Sequence, residues 1–155
     1  MWPVNIRPLH DNDRSWLAET VTQEWGLPVV SISGVHDPRT LPGFVAEEDA
    51  RPVGVVTYRT TRGECEVVTL NSLLANQGVG TALLGAVRQV ADAHGLRLWL
   101  ITTDENTHAI RFYERRGMTR RALHRDFVDT VRRHKAGPHG AAQADGYRDA
   151  IEFSY

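Results

Sequence analysis

The sequence predicts an α/β fold, a mixed sheet with helices on its faces. Three observations carry this. Two β-rich runs, Val53 to Thr60 and Glu64 to Leu73, are joined by a turn at Thr61-Arg62-Gly63. A helix with one apolar stripe follows, and then a nearly continuous apolar run, Leu96 to Thr102, of the kind found in strands covered on both faces. The chain ends on an alternating segment, Asp149 to Tyr155, with Ile151, Phe153 and Tyr155 on one face.

The remaining elements read in order. Val4 to Arg7 is a short strand. Asp11 or Asp13 caps a helix reaching about Trp25, with Trp16, Leu17, Val21 and Trp25 at helical spacing. Gly26 to Pro42 holds three prolines and Gly34, which predicts loop or broken helix. Phe44 to Glu47 is a strand, and Ala50-Arg51-Pro52 a turn. Gly78 opens a helix to about His94, striped by Leu83, Leu84, Val87, Val90 and Ala91 and stopped by Gly95. Thr107 to Arg116 is a helix ended by Gly117. Met118 to Phe127 is a strand, then a short basic helix runs to Lys135 and a long loop starts at Gly137. The order is four strands, helix-strand-helix, then two strands.

A chain of 155 residues fits one domain, 1-155, and is long enough to bury a core without staples. Its net charge of −1 gives no global attraction to nucleic acid or to an anionic membrane. The basic run Arg132 to Lys135 reads as solvated helix surface; a DNA-binding reading built on it predicts strongly salt-dependent binding and conflicts with that charge. Cys65 is the only cysteine, so no intrachain disulfide exists, and its strand setting makes it a buried thiol rather than a nucleophile. No apolar stretch approaches the ~20 residues of a membrane span, and the N-terminus lacks a signal-peptide core. The expected compartment is the cytoplasm. No histidine pair has metal-ligand spacing, so no metal is expected.

The segment Gln77-Gly78-Val79-Gly80-Thr81 joins a strand to a helix. Two glycines let the backbone turn and approach a ligand, and the new helix presents unpaired N–H groups with the positive end of its dipole. The result is an anion site suited to a pyrophosphate. It is not a P-loop, because no lysine follows Gly80, and not a Rossmann fingerprint, because Leu83 stands where the third glycine belongs.

Asn106 lies 26 residues after Gly80 and begins the pattern Asn-x-x-Ala-x-x-Phe-Tyr-x-x-x-Gly, here Asn106, Ala109, Phe112, Tyr113 and Gly117, followed by Met118. This resembles the second signature of the GNAT superfamily of acetyl-CoA-dependent N-acetyltransferases, and the glycine loop resembles the first. The two motifs also agree in order and spacing, over about Glu64 to Met118.

The resemblance implies a GNAT-like mixed, mostly antiparallel sheet with flanking helices. Its central parallel pair, Glu64–Leu73 and Leu96–Thr102, is expected to part near Leu70 so that the acyl-pantetheine arm enters the gap like a missing strand. It implies acetyl-CoA as co-substrate. The backbone amides of Gln77, Gly78, Val79, Gly80 and Thr81 would bind the CoA pyrophosphate. Backbone groups of Val68, Thr69 and Leu70 would hold the pantetheine arm and polarise the thioester carbonyl. Asn106 would contact the pantetheine side, and Tyr113 would face the CoA sulfur as general acid. Phe112 counts with the cofactor-binding positions and also reads as core. Asn106 is equally a good N-cap, and Tyr113 a core aromatic with its hydroxyl at the surface. The usual Arg or Gln opening the glycine motif is replaced by Ala75, which bears on the tightness of CoA binding.

Aminolysis of a thioester also needs a base for the amine proton. Glu66, four residues ahead of Leu70, resembles the glutamate base of histone-type members of the superfamily. On simple alternation it shares a face with Glu64, Val68 and Leu70, and an apolar face would raise its pKa as a base requires. Otherwise it is a solvated edge glutamate. Glu64 is the second choice and His124 a third. Asp104 and Glu105 serve the N-terminus of the helix after them, and Glu152 is placed to line the acceptor pocket.

The expected acceptor is a primary amine of a small molecule or peptide, with Trp25 to Phe44 and His124 to Tyr147 setting its identity. No nucleic-acid or membrane partner is expected, and a homodimer is compatible with the sequence. The competing reading is a CoA-binding sensor or interaction domain without catalysis, which Ala75 favours.

Overall fold

The computed structural model describes residues 4–24, 27–74, 77–104, 106–125, 127 and 149–155. Trp25, Gly26, Ala75, Glu105, the basic run to Lys135 and the loop from Gly137 lie outside them.

The described strands are β1 (Asn5–Pro8), β2 (Val29–Ser31), β3 (Gly34–His36), β4 (Gly43–Glu48), β5 (Arg51–Thr61), β6 (Glu64–Ser72), β7 (Arg97–Thr103), β8 (Thr119–His124) and β9 (Ala150–Ser154). The helices are α1 (Arg14–Glu24), α2 (Val79–Ala93) and α3 (Thr107–Arg115). Seven strands form one sheet in the order β1-β4-β5-β6-β7-β9-β8, and β2 and β3 form a separate hairpin. Every described pairing is antiparallel except β6 with β7. The sheet is therefore mixed and mostly antiparallel, with one central parallel pair.

Strict alternation sorts the core onto two faces. Val45 and Val55 pack with Leu17 and Val21 of α1. Their neighbours Ala46 and Val56 face the other way and join Leu83, Leu84 and Val87 of α2 with Ile110 and Tyr113 of α3. On β9, Ile151 and Phe153 join the α2–α3 face as the alternation predicts. Gly95 (φ +64) and Gly117 (φ +89) end α2 and α3 in left-handed conformations.

Two local expectations need correction. In the stretch expected as loop or broken helix, the described residues 27–42 are more ordered than that. They contain the β2–β3 hairpin, with Ser31 paired to Gly34, and a 3₁₀ turn at Pro38–Thr40. Strands of three residues are too short for a period-2 pattern to register, and the prolines lie outside them. The turn before β5 is Asp49-Ala50, both with positive φ, so Arg51 and Pro52 already belong to the strand.

The parallel pair holds only three rungs, Glu64 with Arg97, Cys65 with Leu98, and Glu66 with Trp99. The strands part after Glu66, earlier than the expected Leu70. The cause lies on the other edge of β6. Thr57 pairs with Thr69 but Tyr58 pairs with Val67, which leaves Val68 as the extra residue of a bulge. A bulge bends its strand and increases the local twist, and here it turns β6 away from β7.

Candidate active site

The bulge also resets which side chains share a face. Val67 and Leu70 both lie with the α2–α3 core. Thr69 lies opposite Thr57, the two hydroxyls 2.6 Å apart and buried. Glu66, next to Val67, points to the α1 face. The expectation that Glu66 shares a face with Leu70 is thereby overturned, because alternation assumed an unbroken strand.

Glu66 is buried, with 1% of its surface exposed. Its surroundings are polar rather than the apolar face expected. Ser31 Oγ donates to Oε2. Ser33 Oγ donates to Oε1 at 2.6 Å, and Arg59 Nη1 donates to the same oxygen at 3.2 Å. His36 Nε2 stands 4.0 Å from Oε1. Three donors offset the cost of burying a carboxylate. The two serines also fasten the β2–β3 hairpin to the sheet. Burial holds the His36 imidazole below its usual range, opposed by Glu66 and assisted by Arg59.

Arg59 is the cross-strand partner of Glu66. Counting back from the Arg62-Gly63 turn would have found it. Ser31, Ser33 and His36 were not legible as its partners, because they meet Glu66 across 35, 33 and 30 residues through a docked hairpin. Glu64, the second choice, is partly exposed at the strand end, its Oε2 3.9 Å from Arg97.

A cavity of about 490 Å³ opens on this face between the hairpin and the end of β8, lined by Ser31 and Ile32 on one side and His124, Arg125 and Phe127 on the other. The two segments expected to set acceptor identity therefore border one space. Ser31 connects it to Glu66. His124 Nε2 lies 3.2 Å from Glu152 Oε1, so Glu152 stands behind His124.

The glycine loop sits at the other end of the splay. Gly78 caps α2 in a left-handed conformation (φ +76), where a side chain would be strained. Gly80 has a different reason. A Cβ there would lie 3.2 Å from Phe112 Cζ, so the missing side chain lets α3 pack its ring against the first turn of α2. Phe112 thus borders the loop, with the Arg116 guanidinium 5.1 Å from its ring centroid. Val79 is in the core, so only its backbone can serve a ligand, while Gln77 is exposed. Past Glu66, β6 has no register with β7 while the first-turn amides of α2 lie just beyond its end. A strand edge without register to β7, followed by first-turn helix amides, suits an extended amide arm ending in an anion.

Asn106 caps α3, its Oδ1 accepting from Ala109 N–H at 3.2 Å, which leaves the role of its side-chain NH₂ outside the cap. Tyr113 is 9% exposed, its ring between Phe112 (5.4 Å between centroids) and Phe153 (5.7 Å). Burial pushes its phenol up to about 12. Cys65 is fully buried and its thiol is pushed up to about 11 by burial and by Glu66, as a structural cysteine should be.

The pattern of the acetyltransferase (GNAT) family matches residues 7–118 of this chain. The uncharacterized protein YdhI of Bacillus subtilis is 37% identical over 153 residues, 96% of each chain. The ribosomal-protein-S18-alanine N-acetyltransferase of Escherichia coli superposes with a TM-score of 0.70 at 18% identity, over 98% of this chain and 92% of that one. Arabidopsis thaliana NAA60 in complex with acetyl-CoA gives 0.69 at 17% identity over 99% of both chains. At these identities the two structural likenesses are of fold.

Proposed function

Because the chain belongs to the acetyltransferase (GNAT) family, we propose that it transfers the acetyl group of acetyl-CoA to the primary amine of a small molecule or peptide, by direct attack in a ternary complex. The observation that carries this reading is the parting of β6 and β7 at Glu66–Trp99, with a buried carboxylate at the fork and a glycine-capped helix beyond it.

Acetyl-CoA supplies an activated acyl carbon on a thiol leaving group. The first-turn amides of α2, from Gln77 to Thr81, bind its pyrophosphate. The bulged edge Val68–Leu70 holds the arm through backbone groups and orients the carbonyl. The amine enters from the cavity beside Ser31. Its nitrogen bonds to the acyl carbon as the carbon–sulfur bond breaks. Glu66 accepts the proton from the amine, and Tyr113 gives one to the departing thiolate. At a pKa of about 12 the phenol keeps its proton until needed.

The test is thiol release from acetyl-CoA over a panel of amines, with mass spectrometry of the products. Amine-dependent thiol release with an acetylated product supports the proposal. CoA binding by calorimetry without consumption of any amine favours the sensor reading instead.

A further inference from the structure

Aminolysis starting from an ammonium sends one proton to solvent per turnover, after the thiolate has taken one. Glu66 is 1% exposed and cannot deliver that proton to water directly. Three distances mark a way out. Ser33 Oγ is 2.6 Å from Glu66 Oε1 and 2.8 Å from His36 Nε2. His36 Nε2 is itself 4.0 Å from Glu66 Oε1, too far for a direct bond, so the hydroxyl is the bridge. Ser33 is exposed at the hairpin tip, and 13% of the His36 side chain reaches the surface.

We propose that Ser33 and His36 form a proton relay that carries the amine proton from Glu66 to solvent. The inference rests on Glu66 as the base of the proposed function. Ser33 and His36 touch no substrate and act through Glu66.

The step balances. With the amine proton on Glu66, the Ser33 hydroxyl turns its single proton from Oε1 to His36 Nε2, and the carboxyl O–H donates to Ser33 Oγ. The carboxyl proton moves to Oγ as the hydroxyl proton moves to Nε2. This leaves Glu66 ionised, Ser33 neutral and His36 an imidazolium, which loses a proton to water. The imidazole must begin neutral with Nε2 unprotonated. Burial favours the neutral ring, with Glu66 of β6 and Arg59 of β5 the charged groups facing it. Arg59 shares Oε1 but stays charged at working pH, so it cannot carry the proton.

Two variants test the relay. His36→Asn keeps a hydrogen-bonding side chain but cannot take a proton. Its melting temperature should match the wild type while amine acetylation falls by about 10-fold or more, the low side of a positioned proton-transfer group. His36→Ala should be rescued by added imidazole, and a substituted imidazole of different pKa should rescue to a different rate. A further readout needs no turnover. In the protein without acetyl-CoA, NMR should place the His36 midpoint lower in Glu66→Gln than in the wild type, because the carboxylate that raises it is gone. An active wild type with an equally active His36→Asn overturns the relay alone, as does an unmoved His36 midpoint in Glu66→Gln. A wild type that consumes no amine overturns the proposed function, and the relay with it.

Discussion

Glu66 and Trp99 face each other on the last rung shared by β6 and β7, yet their polar atoms fare oppositely. The carboxylate has three donors, while the Trp99 indole N–H is buried with no partner among the described residues. A buried unsatisfied donor costs about 1–3 kcal/mol. Trp99→Phe removes that donor and part of the ring. Lost packing and the relieved polar group should nearly cancel, so stability by urea titration should change by less than about 1 kcal/mol. A loss of about 3 kcal/mol would mean that the indole N–H is satisfied in solution.

The two loop glycines should respond differently to substitution. Gly78→Ala meets no atom within 4 Å, and its cost is the left-handed backbone, about 1 kcal/mol. Gly80→Val presses on the Phe112 ring, where a Cβ would already be 3.2 Å away, and should cost about 1–3 kcal/mol by overpacking. It should also weaken CoA binding by displacing the first turn of α2. Calorimetry with unchanged CoA affinity in Gly80→Val would count against the loop as the pyrophosphate site.

Tyr113→Phe keeps the ring between Phe112 and Phe153 and removes the hydroxyl. Stability should change little, and CoA affinity by no more than a few-fold. Turnover should fall by roughly 10²-fold, the scale of a positioned general acid. Because the phenol sits at about 12, no loss of activity below about pH 11 should come from its ionisation. Wild-type turnover in Tyr113→Phe, with chemistry rate-limiting, would make it a packing residue.

Acid should loosen the N-terminal strand. Arg7 grips Asp13 with two bonds, 2.7 and 2.9 Å, and that grip holds the carboxyl at about 2, below its ordinary 3.8. A depressed folded-state pKa adds stability that is complete above the unfolded value and fades as pH falls through the folded one. Asp13→Asn should therefore lose on the order of 1–2 kcal/mol at neutral pH. The gap to wild type should close between about pH 4 and pH 2. A gap that stays constant over that range would show that the carboxylate's charge plays no part.

Much of this was written locally in the chain. The stripe of α2, the stop at Gly95 and the alternation of β9 depend on neighbours a few residues apart, and simple periodicity finds them. The Asn106–Gly117 pattern and the glycine loop marked the family, and Arg59 opposite Glu66 follows from the length of one hairpin turn. What the sequence did not decide was which way Glu66 points. One extra residue at Val68 breaks the period of two, and a bulge leaves no mark in composition or alternation. The short β2–β3 hairpin was equally hidden, since its strands are three residues long and its docking comes from Ser31 and Ser33 meeting a carboxylate more than thirty residues away. Such contacts exist only after the sheet has formed, so tertiary structure alone placed the carboxylate, the serines, His36 and the cavity on one face.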